Sequence, residues 1–138
     1  MRVIADTNIV VSGLLWTGGP RLLLDAARAG VIELVTSPVL LEELADVLQR
    51  PKFADRLRQA HVSAMEVAEG YAMLATVVEP EAIEPVIDAD PDDDHVLACA
   101  MAAAAEMIVS GDAHLLSLEE YGGMRIISVT QALLEIAR

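Results

Sequence analysis

The sequence predicts an α/β fold, a three-layer α/β/α sandwich with a central parallel sheet. Three observations carry that expectation. Short apolar runs alternate with segments of helical period, 54% of the 138 residues are hydrophobic, and two of the apolar runs lead directly into aspartates. Alternating strands and helices favour a parallel sheet covered on both faces. A chain of this length buries enough apolar surface for a single domain, expected over residues 1–138. With one Trp, one Phe and two Tyr, its core has to be built from Leu, Val, Ile, Ala and Met.

Taken in order, Val3, Ile4 and Ala5 read as a short buried strand that runs into Asp6, Thr7 and Asn8 with no glycine loop between. Residues 10–16 remain apolar and lead to the turn Thr17-Gly18-Gly19-Pro20. Residues 21–29 read as a helix with Leu22, Leu23 and Ala26 on one face and Gly30 as its stop. Residues 31–35 read as a second strand. Ser37 and Pro38 cap and start a helix to about residue 48, which Pro51 terminates. A polar, basic segment covers 53–61, a helix 63–74 and a candidate strand 76–78. Residues 79–93, rich in Pro, Asp and Glu, read as a loop with a short extended piece at 85–87. A helix then runs from about 92–94 through 105, a strand over 106–109, a helical turn over 113–118, a last strand over 125–129 and a last helix over 130–137.

The formal charge is −13, which on its own argues against a polyanionic substrate. The distribution qualifies it. No Lys or Arg occurs between Gln59 and Met124, whereas Arg50, Lys52, Arg56 and Arg58 crowd into nine positions and five acids fall between Asp88 and Asp94. One basic patch and at least one acidic pocket follow. Cys99 sits alone in an apolar run, so it has no intrachain disulfide partner and reads as a small core residue. Asp6 interrupts the first apolar residues, so no secretory signal is expected. The longest apolar run is broken by Glu106 and is shorter than a membrane span, so the expectation is a soluble cytoplasmic protein that does not engage a membrane.

Parallel strands present their carboxyl ends on one edge, where ligands of open α/β sheets bind. Asp6 and Asp112 therefore belong to one region. On the helix after Ser37 the apolar stripe is Leu40, Leu41, Leu44, Val47 and Leu48. At about 100° per residue, Glu43 falls nearer that stripe than Glu42, which is the better candidate for a solvated acid. In Asp90-Pro91-Asp92-Asp93-Asp94, helix capping accounts for one or two acids but not for all of them, whose repulsion is relieved by a cation. Asp94 lies one turn before Leu97 and is expected to point toward the sheet, with Asp90 and Asp93 as second candidates. Asp6, Glu43, Asp94 and Asp112 form an oxygen-only set suited to Mg²⁺ or Mn²⁺. His61, His95 and His114 lack metal-pair spacing or a Ser or Cys partner and read as surface or capping residues, His95 being the possible exception through its neighbour Asp94.

The chain resembles the PIN-domain family of metal-dependent ribonucleases, and within it the VapC-like toxins of bacterial toxin–antitoxin pairs. Four pieces in the family's order carry the resemblance: Ile4-Ala5-Asp6-Thr7-Asn8; Ser37-Pro38-Val39-Leu40-Leu41-Glu42-Glu43-Leu44 continuing to Leu48-Gln49-Arg50-Pro51-Lys52; Asp90-Pro91-Asp92-Asp93-Asp94 with Val96-Leu97-Ala98; and Val109-Ser110-Gly111-Asp112 with His114-Leu115-Leu116. The resemblance implies a catalytic metal site of Asp6, Glu43, Asp94 and Asp112, with either Asp93 or Asp94 in the third place. Asn8 and Ser110 would be supporting residues, Ser110 standing where many relatives carry Thr. It implies hydrolysis of RNA phosphodiesters by an activated water at one or two Mg²⁺ or Mn²⁺ ions, a cognate antitoxin and a homodimer. Arg50, Lys52, Arg56 and Arg58 are the candidates for phosphate contacts with RNA, or else charges near a helix C-terminus. An aspartyl-phosphate enzyme would need a second acid near the first strand and a later lysine, but position 8 is Asn and the only lysine is Lys52. A PIN-like module that binds metal or RNA without turnover is the remaining alternative.

Overall fold

Strand β1 (Arg2–Ala5) lies in the middle of a six-stranded sheet among the described residues, with β2 (Glu33–Thr36) and β3 (Thr76–Val77) on one side and β4 (Met107–Val109), β6 (Met124–Ile127) and β5 (Glu120–Tyr121) on the other, in the order β3-β2-β1-β4-β6-β5. The computed structural model describes residues 1–83 and 91–137. The extended piece expected at 85–87 and the acids Asp88 and Asp90 lie outside them. Five strands run parallel, with Ile4 opposite both Val35 and Ile108. The central parallel sheet is as expected, and one edge adds an antiparallel strand. There β5 pairs antiparallel with β6 through the two-residue turn Gly122-Gly123. Both glycines have positive φ, as a tight hairpin requires, and a Cβ on Gly122 would stand 2.6 Å from the Met101 sulfur.

Side chains alternate across the strands and divide the core in two. Val3, Ala5, Leu34, Met107, Val109 and Ile127 face a layer of α1 (Thr7–Leu15), α2 (Gly19–Arg28), α3 (Pro38–Leu48), α4 (Ala54–Gln59), α5 (Ala64–Leu74) and α8 (Val129–Ile136). Ile4, Val35, Ile108 and Ile126 face α6 (Pro91–Ala103) and α7 (Ala113–Leu118). The three-layer α/β/α expectation is thereby met, with helices on both faces.

Local chemistry explains the element ends. The Ser37 hydroxyl accepts from Leu40 N–H at 3.4 Å with Pro38 in the first turn of α3, and Ser63 with Glu66 forms a reciprocal capping box on α5. Gly30, just past α2 at φ 76°, stops that helix. The buried face of α2 is Leu23 and Leu24, while Leu22 is exposed. Residues 10–15, assigned to no element from sequence, belong to α1 with Trp16 as its C-cap, and part of the basic segment is a 3₁₀ turn (Pro51–Phe53) followed by α4. Cys99 is a core residue, its thiol pushed up to about 11 by burial. No described helix is long and apolar enough to cross a membrane.

Candidate metal centre at the carboxyl edge of the sheet

The pairing of β1 with β4 sets Ala5 opposite Val109, and Asp6 N–H donates to the Val109 carbonyl at 3.0 Å, so the residues that follow the two strands emerge together. Asp6 is 6% exposed and caps α1, accepting from Ile9 N–H at 3.0 Å. The fully buried Ser110 hydroxyl donates to Asp6 Oδ2 and accepts from the Asp112 N–H at 2.9 Å. One hydroxyl thus links the two strand-end acids. Asp112 in turn caps α7, its Oδ1 accepting from His114 N–H at 2.8 Å and Leu115 N–H at 3.1 Å.

A cleft at this edge is lined by Asp6, Thr7, Asn8, Glu43, Asp93, Val96 and Asp112. Glu43 arrives from α3, half-buried on the flank of its apolar stripe, while Glu42 is exposed as expected. From α6 the residue in the cleft is Asp93, which is 8% exposed. Asp94 lines a separate cavity with His95, Pro38, Val39, Glu79 and Ala98. Of the two acids left open for the third place, Asp93 rather than Asp94 lines the cleft with Asp6, and helix phase accounts for it. The buried positions of α6 include Val96, Leu97, Cys99, Ala100 and Ala103, and Asp93 lies three, four and seven residues before Val96, Leu97 and Ala100, on their face. Asp94 shares the flanking row with Ala98 and with Met101, which is 48% exposed.

Burial pushes the Asp6 carboxyl above its ordinary value, and the nearby Asp112 charge adds to the rise. Hydrogen bonds from Ser110, Ile9 and Gly111 oppose it. Ionised acids packed this closely gain from a cation. The donors fit one: the cleft offers carboxylate, hydroxyl and amide oxygens, the set that hard divalent ions prefer. Among the described residues, Asp93, Asp112 and His114 bring one ligand atom each within 4.8 Å of one another. His114, expected to be a surface or capping residue, is exposed and stands with Nδ1 3.6 Å from Asp112 Oδ1. Its only signal in the sequence is its position two residues after the second strand-end acid.

The four basic candidates sit in different surroundings. Arg56 Nε donates to the Leu15 carbonyl at 2.6 Å, and Arg58 pairs with Asp55. Arg50 and Lys52 are exposed and form no ion pair among the described residues, Lys52 Nζ lying 5.0 Å over the Phe53 ring.

An α/β sheet with acids converging at its carboxyl edge sets a candidate acidic metal-binding group where ligands of such sheets bind. The PIN domain model matches residues 2–114, and the chain belongs to the PIN domain family, whose members are generally nucleases. A search among curated proteins returns no match.

Proposed function

We propose that this protein is a metal-dependent endoribonuclease and the toxin of a toxin–antitoxin pair, working in the cytoplasm as a homodimer. The observation that carries the reading is the convergence of Asp6, Glu43, Asp93 and Asp112 on one cleft, with the Ser110 hydroxyl tying the first acid to the last. Mg²⁺ or Mn²⁺ held by these carboxylates would supply positive charge to the phosphodiester and an acidified water at neutral pH. Asp6 and Asp112 are held in place by their helix-capping hydrogen bonds, so the chain fixes their orientation before any ligand arrives. Ser110 and Asn8 orient them further, as outer partners of metal ligands do.

The test uses metal-stripped protein and a single-stranded RNA substrate. Cleavage should require added Mg²⁺ or Mn²⁺ and disappear in Asp6→Asn. Equal cleavage by Asp6→Asn would overturn the site assignment, and calorimetric metal binding without cleavage of any RNA would favour a non-catalytic module. The toxin role is tested by expressing the chain with and without the product of its neighbouring reading frame. Growth arrest relieved by a small DNA-binding neighbour is the expected result.

A further inference from the structure

We propose that Trp16, with Phe53, Arg50 and Lys52, forms a stacking platform for single-stranded RNA at the far end of the helix that begins in the acidic cleft. The inference takes its substrate class from the nuclease reading and adds a binding subsite outside the carboxylates. Trp16 is the only tryptophan in the chain, and it is 42% exposed at the C-terminal end of α1. Its ring lies 5.8 Å from that of Phe53 at 55°, and Phe53 is only 8% exposed, so a buried aromatic supports an exposed one. Lys52 sits over the other ring of the pair, and Arg56 fixes the backbone from below by bonding the carbonyl that precedes Trp16.

Charge favours the same occupant. In a chain of net charge −13, a polyanion is attracted only where cations are locally in excess. Here Arg58 pairs with Asp55, while Arg50 and Lys52, three and one residues before Phe53, are exposed and form no ion pair among the described residues. An exposed aromatic beside unpaired cations is the combination that binds single strands, the ring taking a base and the cations the backbone. The geometry suits one strand serving both sites. Asp6 caps the start of α1 and Trp16 its end, nine residues of helix apart, or about 14 Å at 1.5 Å per residue. An RNA strand whose scissile phosphate reaches Asp6 would lie along α1 with a neighbouring base on Trp16.

Because Trp16 is the sole tryptophan, its fluorescence reports the stack directly. The experiment titrates the full chain with a short oligouridylate in chelator, so that no cleavage occurs, and follows both tryptophan emission and fluorescence anisotropy of the labelled RNA. Saturable quenching is expected. Trp16→Leu should weaken binding about tenfold, the scale of one lost stack, and Trp16→Phe should restore most of it. The double variant Arg50→Gln/Lys52→Gln should flatten the dependence of log Kd on log salt by about 1.4, for two single-strand phosphates. Absence of quenching at saturating RNA, or an unchanged Kd in Trp16→Leu with wild-type circular dichroism, would overturn the platform. So would quenching by polyglutamate as strong as that by RNA, which would make the surface a docking site for acidic protein. The two readings fail separately. Quenching without metal-dependent cleavage sinks the nuclease and keeps the platform, whereas cleavage with an unchanged KM in Trp16→Leu does the reverse.

Discussion

At the amino edge of the sheet, Glu33 accepts from Arg2 at 3.3 Å and from the Thr76 hydroxyl at 2.8 Å, Glu106 pairs with the N-terminus at 4.0 Å, and Arg2 also donates to the carbonyl of Ala103 that ends α6. At the carboxyl edge, Asp6, Glu43, Asp93 and Asp112 line one cleft with no Lys or Arg among its lining residues. The same strands, β1 and its neighbours, thus end in balanced charge on one side and unbalanced charge on the other. The two shifts run oppositely: the Glu33 carboxyl is lowered, first by the Thr76 hydrogen bond and then by Arg2, while the Asp6 carboxyl is raised by burial. The acids of the amino edge are matched by cations, and the acids of the carboxyl edge gather on one cleft.

The sharpest way to break that contrast is Asp6→Asn. In metal and RNA it should lower kcat/KM by at least about a hundredfold, since even outer partners of metal ligands carry that much. Without metal the sign reverses. A carboxyl raised in the folded state favours folding when protonated and loses that contribution as pH rises through its folded value. Apo Asp6→Asn should therefore melt no lower than wild type at pH 7 and lack the wild type's rise in stability on acidification. Thermal melts across pH in chelator check this, and a clear drop in melting temperature at pH 7 would mean that Asp6 is a structural acid.

Two further substitutions sharpen the contrast within the cleft. Asp93→Asn should weaken Mn²⁺ binding by about 10–100-fold in calorimetry, the range seen when a partner of the metal is lost, while Asp94→Asn should leave it nearly unchanged. The reverse ranking would restore Asp94 to the site. Ser110→Ala removes a fully buried donor to Asp6 and should cost about 1–3 kcal/mol in denaturant unfolding, because the acid loses its partner without gaining water.

A smaller effect is expected from Tyr71, which borders the same edge from α5. Its hydroxyl is buried with no hydrogen-bond partner among the described residues, and burial raises its pKa. Tyr71→Phe should stabilise the protein by up to about 1 kcal/mol by removing an unsatisfied polar group. A loss of stability would show that the hydroxyl has a water partner in the small cavity it shares with Thr7 and Thr36.

The contrast between edges also explains what was legible in the sequence. Strands β1, β2, β4 and β6 and helix α3 could be read because their apolar runs and their Ser and Pro starts are local signals. Asp6 and Asp112 could be placed together because parallel pairing does so wherever the strands are adjacent. Helix α1 could not be read, because Val10, Val11 and Leu15 pack against its neighbours on more than one side and the open side offers only Asn8 and Ser12 to set a period. The hairpin of β5 was missed because two residues make no pattern and Gly122-Gly123 marks a turn without saying what it joins. The third acid depended on a helix phase that a run of aspartates hides, since moving the register of α6 by one residue exchanges Asp93 for Asp94. His114 carries no signal beyond its place two residues after Asp112, and its nearness to Asp93 is tertiary.

The least effect is expected at the balanced edge itself. Glu33 is exposed, so its bonds to Thr76 and Arg2 are screened by water, and Glu33→Gln should lower the melting temperature only slightly at pH 7. The sign follows from the depressed carboxyl. Its contribution is present above the ordinary value of 4.5 and disappears as pH falls through the lower folded value. Wild type and Glu33→Gln should accordingly differ at pH 7, with the variant the less stable, and converge in acid, whereas Asp6→Asn should be no less stable than wild type at pH 7. A Glu33→Gln variant more stable than wild type at pH 7, with the gap closing in acid, would mean that Glu33, like Asp6, is held at a net loss to the fold, and the amino edge would then need a ligand of its own.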